Sequence, residues 1–202
     1  MTERINLDLK KYWAEFGLPQ FGFCLTDEHN FFYIPIAKNA STHVSKNLRA
    51  FGWQPSNYSC NSSCNYDHLK PIVVLRDPIE RWISGVFQYI TLYHSNLTIL
   101  SEDLLDFICH KIILDDHTEK QVYFCNYIKI SDAIFVKQDL TLDNKIEKLL
   151  NKKFQFPALP SIADHSLIRR QLKKRLDNKL IQRLHLFYKE DFELINKVKF
   201  YE

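Results

Sequence analysis

The sequence predicts an α/β fold, a three-layer arrangement in which a central, mostly parallel sheet is flanked by helices. Two apolar runs of strand length, 31–36 and 71–75, each lead into a segment with apolar residues at helical spacing. These runs are nearly continuous in apolar residues rather than alternating, which is typical of parallel strands buried on both faces. A single domain covering 1–202 is expected for a chain of 202 residues.

The remaining elements follow from local patterns. Residues 1–28 contain Gly17, Pro19 and Gly22 among aromatic residues and are predicted to form an irregular lead-in. A third strand is expected at 132–136, and the Ser- and Asn-rich stretch 52–70 is expected to be a loop. Helices are predicted after the first strand, at about 79–92, from Ser101, at 142–151, and as one or two amphipathic segments at 166–195.

Composition excludes several classes of protein. Lys and Arg outnumber Asp and Glu by 27 to 24, and this small excess disfavours a dedicated nucleic-acid binder. Only four Gly residues are present, which argues against Gly-rich nucleotide-binding loops. The N-terminus is charged and no window approaches about eighteen consecutive apolar residues, so we expect no signal peptide, no membrane span and a cytoplasmic location.

The cysteines indicate a reducing compartment. Five Cys residues are an odd number and too few for a disulfide scaffold. Cys60, Cys64 and His68 form a C-x3-C-x3-H pattern that supplies three soft ligands without a clear fourth. A polar loop is therefore favoured over a zinc site, and no metal is predicted.

The first candidate site is the loop at 37–43 (AKNASTH), which joins a predicted strand to a helix start. Backbone N–H groups at a helix N-terminus bind anions, and Lys38 adds a cation. Ser41 and Thr42 each offer a hydroxyl. In the alternative interpretation, Ser41 or Thr42 only caps the helix and Lys38 is solvated. Because Lys38 precedes the hydroxyls by several positions, the loop lacks the order of a Walker-type nucleotide-binding motif.

The second candidate site follows the strand at 71–75. Arg76 comes directly after the strand. There its planar guanidinium group could form bidentate hydrogen bonds with a phosphate. Asp77 is expected to cap the next helix, and Arg81 and Ser84 share one face of that helix. In the alternative interpretation, these arginines form local surface ion pairs of under about 1 kcal/mol.

Together the two loops resemble those of the sulfotransferase superfamily, which uses 3′-phosphoadenosine 5′-phosphosulfate (PAPS). Residues 37–43 resemble its 5′-phosphosulfate loop, P-K-x-x-G-[ST]-[ST], and 76–84 (RDPIERWIS) closely resemble its 3′-phosphate motif, R-D-P-x-x-R-x-x-S. Residues 116–125 (DHTEKQVYFC) and 187–192 (FYKEDF) are similar to stretches of the carbohydrate, Golgi-type branch. The resemblance implies a small member with a P-loop-like sulfotransferase fold.

The resemblance also implies roles for particular residues. Lys38 would neutralise the leaving phosphate and is a candidate catalytic residue. The donor-binding set would comprise Lys38, Asn39, Ala40, Ser41, Thr42, His43, Arg76 and Ser84. PAPS would leave as 3′-phosphoadenosine 5′-phosphate (PAP), and no metal would be needed. Ala37 and Ser41 replace the usual Pro and Gly of the motif, so the backbone must approach the donor without the freedom of Gly.

An acceptor hydroxyl needs a general base, and His titrates nearest to neutral pH. His117 is the candidate, with Asp115 or Asp116 as an orienting partner or substitute base, and His43 is the competing histidine. The basic run at 169–175 is expected to be a solvated face, and the alternative is a rim that attracts anions.

The sequence thus favours a PAPS-dependent sulfotransferase acting on a hydroxyl, with a carbohydrate as the favoured acceptor. Two other functions stay open. The first is a non-catalytic module that binds the nucleotide through the same two loops. The second is a P-loop-type kinase or NTPase, which would need Mg²⁺ and ATP.

Overall fold

The computed structural model describes residues 23–57, 68–94, 97, 99–125, 128–157 and 167–202. Five strands lie in this part of the chain: β1 (Phe23–Thr26), β2 (Phe31–Ile34), β3 (Gln54–Asn57), β4 (Lys70–Leu75) and β5 (Ile134–Lys137). The helices are α1 (Ser41–Ala50), α2 (Pro78–Tyr93), α3 (Glu102–Lys111), α4 (Gln121–Phe124), α5 (Leu142–Leu150), α6 (Leu167–Arg175), α7 (Asn178–Phe187) and α8 (Lys189–Lys197). Two short 3₁₀ turns cover Asp116–Thr118 and Ile130–Asp132.

The five strands form one mixed sheet in the order β3-β1-β2-β4-β5. Strands β2, β4 and β5 are parallel, whereas β1 pairs antiparallel with both β2 and β3. The α/β class is confirmed, but the expectation of a mostly parallel sheet is wrong, because half of the strand pairings are antiparallel. The parallel half carries the strand ends that lead into the two candidate loops.

The hairpin of β1 and β2 explains this difference. The Asp27 carboxylate accepts hydrogen bonds from the backbone N–H groups of His29, Asn30 and Phe31, which closes a tight turn between the two strands. The irregular lead-in predicted for 1–28 is therefore wrong at its end, and residues 1–22 lie outside the described part. The loop predicted for 52–70 likewise contains β3, and Cys60 and Cys64 lie outside the described residues.

Both faces of the parallel strands are buried against helices. Val73 and Leu75 of β4 pack in a core that includes residues of α4 and α8. Ile72 and Val74 point the other way, into a core that includes residues of α1 and α5. A third core joins α2, α3, α6 and α7. Burial on both faces is the physical reason for the continuous apolar run of β4.

Helix α2 begins as the sequence predicts. The Asp77 carboxylate accepts hydrogen bonds from the N–H groups of Ile79 and Glu80, and Pro78 occupies the first turn. The segment 166–195 differs from the prediction of one or two helices, because it contains three, and Asp177 caps the second of them. In the basic run, Arg170 and Lys173 are exposed as expected, whereas Arg169 is buried.

None of the helices among the described residues is long and apolar enough to cross a membrane.

Helix α2 lies very close to the 3₁₀ turn at Asp116–Thr118. The contact occurs at Gly85, where an added Cβ would lie 2.3 Å from the His117 carbonyl oxygen. Only a residue without a side chain fits this approach. Gly85 therefore allows the turn that carries His117 to pack directly on α2.

Substituting Gly85→Ala tests this packing. Ala normally stabilises a helix interior by about 1 kcal/mol relative to Gly. Here the clash with the His117 carbonyl reverses the sign, and we expect a loss of about 1–3 kcal/mol in the free energy of unfolding. Urea unfolding measures the change. Thr91→Ala, at an exposed position of the same helix, stays within about 0.5 kcal/mol of wild type. A Gly85→Ala protein as stable as wild type would contradict the close approach.

Candidate functional site

The loop after β2 forms an uncapped helix start. Lys38 and Ala40 both adopt the left-handed conformation, with φ of 67° and 57°. For residues other than Gly such a conformation is strained, and strain of this kind clusters at functional sites. Ala40 occupies the cap position of α1 and no side chain caps it, so neither Ser41 nor Thr42 plays that role. The first-turn N–H groups of α1 are thus left for another acceptor.

Lys38 reaches across to α2. Its Nζ donates a hydrogen bond to Gln88 Oε1 at 3.2 Å, and the side chain is partly buried. Burial lowers the pKa of Lys38, the positive charges of Arg76 and Arg81 lower it further, and Asp115 opposes them. Lys38 therefore sits in a region with excess positive charge.

Arg76 connects the two loops directly. Its guanidinium Nη1 donates to the Lys38 carbonyl oxygen at 3.0 Å, and Nη2 lies 3.9 Å from Glu80 Oε2. Arg169 Nη2 lies 3.5 Å from the same Glu80 oxygen. Burial lowers the pKa of Arg76, and Arg169 and Arg81 add to that effect against the charge of Glu80. The residues after β2 and after β4 thus form one cationic site.

Arg81 is a buried tether rather than a surface residue. Its Nε donates to the Ala37 carbonyl at 3.0 Å, Nη2 donates to the Asp116 carbonyl at 3.2 Å, and Nη1 donates to the Glu119 carbonyl. The side chain is 1% exposed, so the surface ion pair left open for it is wrong. Arg81 joins the loop after β2 to the turn that carries His117.

Ser84 lies on the same face of α2 as Arg81 and Gln88. These residues are spaced at i, i+3 and i+7, so they follow one another along the helix. Arg81 and Gln88 contact Ala37 and Lys38. The Ser84 hydroxyl lies between them along the helix, and no hydrogen bond to another described residue is found for it. Its role in binding a ligand stays a prediction.

His117 is held by two carboxylates. Its Nδ1 lies 3.0 Å from Asp115 Oδ2 and 2.9 Å from Asp116 Oδ1. Burial lowers the pKa of His117, but the hydrogen bonds and charges of Asp115 and Asp116 outweigh it and raise the pKa from 6.5 to about 9. His117 is therefore an imidazolium at neutral pH. The sequence analysis expected a general base whose pKa lies near neutral pH. The two carboxylates raise the pKa of His117 above that range.

Asp115, Asp116 and His117 also lie close enough together to hold a metal ion. They form the group of three or more His, Cys, Asp or Glu side chains for which this is true among the described residues. One ligand atom from each lies within 4.8 Å of the others. The His117 Nδ1 is in contact with both carboxylates, so the three side chains are paired with one another.

Two of the predicted donor-binding residues, Asn39 and His43, bond to other parts of the protein. The Asn39 N–H donates to the Ile36 carbonyl at 3.1 Å. This N–H is therefore already paired within the protein. The buried Asn39 side chain donates to Val74 O at 2.7 Å and to Gln121 Oε1 at 2.6 Å. His43 Nε2 lies 2.9 Å from Asp143 Oδ1, which directs its ring to α5.

A groove of about 650 Å³ borders the loop at Thr42. It runs along the exposed side of α1 and is lined by Thr42, Ser45, Lys46, Arg49, Ala50 and Phe156. Lys46 Nζ lies 3.9 Å from the centre of the Phe156 ring. The groove therefore offers hydroxyl groups near the start of α1 and cations farther along the helix.

Sequence reasoning missed the buried role of Arg81 and missed Gln121 entirely. The Gln121 side chain accepts from the Arg76 N–H and donates to the Arg76 carbonyl, at 3.0 and 2.9 Å. The signal available for Arg81 was its position in the R-D-P-x-x-R-x-x-S stretch. Gln121 lies in a stretch that the sequence analysis quoted for other residues, and no local pattern singles it out.

The pKa of His117 predicts a pH dependence of stability. A pKa that is raised on folding stabilises the protein fully below about pH 6.5 and no longer does so once the pH exceeds about 9. We expect the free energy of unfolding of wild type to fall across this interval by up to about 3 kcal/mol relative to His117→Gln. Urea unfolding between pH 6 and pH 9.5 measures the difference. His110→Gln, at an exposed position of α3, should keep the wild-type dependence, and a His117→Gln protein that also keeps it would contradict the assignment.

Comparison with known proteins leaves the family open. No protein-family model, curated protein or solved structure matches this chain. A functional conclusion therefore depends on the geometry of the site and on the resemblance of its two loops.

Proposed function

We propose that this protein is a sulfotransferase that moves the sulfuryl group of PAPS to an acceptor hydroxyl, with a carbohydrate as the favoured acceptor. The observation that carries the proposal is the contact between the two loops, in which Arg76 donates to the Lys38 carbonyl at 3.0 Å. Two loops that resemble the two ends of one nucleotide site are thereby adjacent. We further propose that the mixed sheet and its helices form a small P-loop-like sulfotransferase fold in a single domain. A cytoplasmic location remains a prediction.

The charges of the site fit a donor with two phosphate groups. Besides burial, Arg76 and Arg81 lower the pKa of Lys38, and Arg169 and Arg81 lower the pKa of Arg76. An anion bound beside Lys38 and Arg76 would therefore relieve repulsion between positive charges. The uncapped start of α1 offers N–H groups and the Thr42 hydroxyl to the 5′-phosphosulfate. Arg76 and the Ser84 hydroxyl would bind the 3′-phosphate.

The donor supplies an activated sulfuryl group, whose bond to the 5′-phosphate oxygen breaks as a bond from sulfur to the acceptor oxygen forms. Catalysis of such a transfer depends mainly on positioning and on neutralising charge. Lys38 holds its ammonium group where the leaving phosphate oxygen gains negative charge. The first-turn N–H groups of α1 keep that phosphate in place.

The acceptor hydroxyl must lose a proton, and His117 is the candidate to take it at Nε2. Asp115 and Asp116 hold Nδ1, as the carboxylate does in a Ser-His-Asp triad. Because the pKa of His117 is about 9, its neutral form grows as the pH approaches that value. The proposed activity should therefore rise into the alkaline range.

A non-catalytic nucleotide-binding module is the second candidate, and the protonated state of His117 favours it. An imidazolium cannot act as a base, yet it adds positive charge to a site that holds an anion. Such a module would bind PAP without turning over PAPS.

Titration calorimetry with PAP, 5′-AMP and ATP tests the proposal. We expect PAP to bind without metal and more tightly than ATP with Mg²⁺. Arg76→Ala should weaken PAP binding about 10- to 100-fold, which corresponds to one or two lost charge-assisted hydrogen bonds. It should leave 5′-AMP binding nearly unchanged, because 5′-AMP lacks the 3′-phosphate.

The matched control is Arg170→Ala, which removes an exposed arginine of α6. Its affinity for PAP should stay within about twofold of wild type. Preference for ATP with Mg²⁺, or equal binding of PAP and 5′-AMP by wild type, would contradict the proposal. PAP binding without turnover of PAPS, over a range of acceptors and pH, would favour the non-catalytic module.

A further inference from the structure

Gln121, the first residue of α4, contacts both proposed anion-binding loops, the one after β2 (37–43) and the one after β4 (76–77). Its Oε1 accepts hydrogen bonds from the Arg76 N–H at 3.0 Å and from Asn39 Nδ2 at 2.6 Å. Its Nε2 donates to the Arg76 carbonyl at 2.9 Å. The side chain is 1% exposed, so water does not compete for these bonds.

The contact to Arg76 fixes a backbone position. Both polar backbone groups of Arg76 are bonded to the one Gln121 side chain, which sets where the Arg76 side chain starts. Arg76 then donates to the Lys38 carbonyl. The direction of its guanidinium is therefore determined from both ends.

The contact to Asn39 fixes the other loop. Asn39 lies between Lys38 and Ala40, the two residues in the left-handed conformation. Its amide also donates to the Val74 carbonyl at 2.7 Å, so the loop is attached to β4 and to Gln121 together. This attachment holds a strained backbone that would otherwise relax.

Gln121 is itself held by the C-terminal helix α8. The N–H groups of Gln121 and Val122 donate to the two carboxylate oxygens of Asp191, both at 2.9 Å. Asp191 is fully buried. Tyr188 adds a hydrogen bond from its hydroxyl to the Thr118 carbonyl. The position of Gln121 is thus set by its contact with Asp191 of α8, on the far side of the sheet from α1.

We infer that Gln121 is a positioning residue: it bonds the backbone of Arg76 and the side chain of Asn39 at once, and so sets the distance between the two anion-binding loops. The consequence for ligand choice rests on the proposed function. A ligand with phosphate groups at both ends of an adenosine requires both loops at a fixed spacing, because displacements of even about 1 Å are costly in such sites. A ligand with one phosphate group does not require that spacing.

The test compares Gln121→Met with a matched control, Gln171→Met. Methionine keeps the length and approximate volume of glutamine and removes its hydrogen bonds. Gln171 bonds the backbone of Leu100 in the same two-way manner, accepting from its N–H at 2.9 Å and donating to its carbonyl at 3.1 Å. Both variants lose equivalent backbone contacts, but only Gln121 contacts the candidate site.

Two readouts are measured on each protein. The first is amide hydrogen exchange in segments 36–43 and 74–78, and the second is the ratio of the affinities for PAP and 5′-AMP. We expect Gln121→Met to speed exchange in both segments and to lower the ratio at least about tenfold. Gln171→Met should change neither, although it loses the same pair of hydrogen bonds to a backbone.

A milder variant covers the case in which Gln121→Met does not fold. Gln121→Glu keeps oxygens that accept from Arg76 and Asn39 and loses only the donor to the Arg76 carbonyl. It should show faster exchange mainly at 74–78, with a smaller fall in the affinity ratio.

Unchanged exchange in both segments for the folded Gln121 variants would overturn the inference, as would an equal change in Gln171→Met. An unchanged affinity ratio in a Gln121 variant whose loops exchange faster would overturn the effect on ligand choice. If wild type shows no preference for PAP, the proposed function fails, and hydrogen exchange still decides whether Gln121 positions the loops.

Discussion

The site depends on one buried guanidinium. Arg81 donates to backbone carbonyls of Ala37, Asp116 and Glu119, three positions that the chain separates by up to 82 residues. Removing the guanidinium would leave these buried carbonyls without their donor, and each such loss costs about 1–3 kcal/mol. A guanidinium group has five N–H donors in one plane and can therefore bond three carbonyls in different directions. A lysine could not reproduce this geometry. The loop after β2 and the turn that carries His117 are side by side because of this residue.

That arrangement concentrates positive charge at the ends of the parallel strands. Burial and the charge of Arg76 lower the pKa of Lys38, and Asp115 opposes them. Burial and the charge of Arg169 lower the pKa of Arg76, and Glu80 opposes them. A left-handed backbone at Lys38 and Ala40 adds local strain beside an uncapped helix. Cations and helix N–H groups without a capping side chain favour the binding of an anion. The two phosphate groups of the proposed donor would add negative charge beside Lys38 and Arg76.

The sequence predicted the elements with strong apolar patterns and missed those held by distant contacts. Strands β2 and β4 and helix α2 were found because burial on both faces, or a cap at Asp77, leaves a local signal. Strands β1 and β3 are four residues long and partly polar, so only their pairing identifies them. Lys38 and Arg76 were predicted as site residues because they follow strand ends, and the structure brings them into contact. Gln121 could not be found in this way, since its partner Arg76 is 45 residues away in the chain.

The most direct test of the account is a crystal structure of the protein with PAP bound. The account predicts one molecule that spans both loops, with its 5′-phosphate at the first turn of α1 beside Lys38 and its 3′-phosphate within hydrogen-bond distance of Arg76 and Ser84. A PAP molecule that contacts only one of the two loops, or that lies in the groove along α1 with both phosphates away from Arg76, would contradict it.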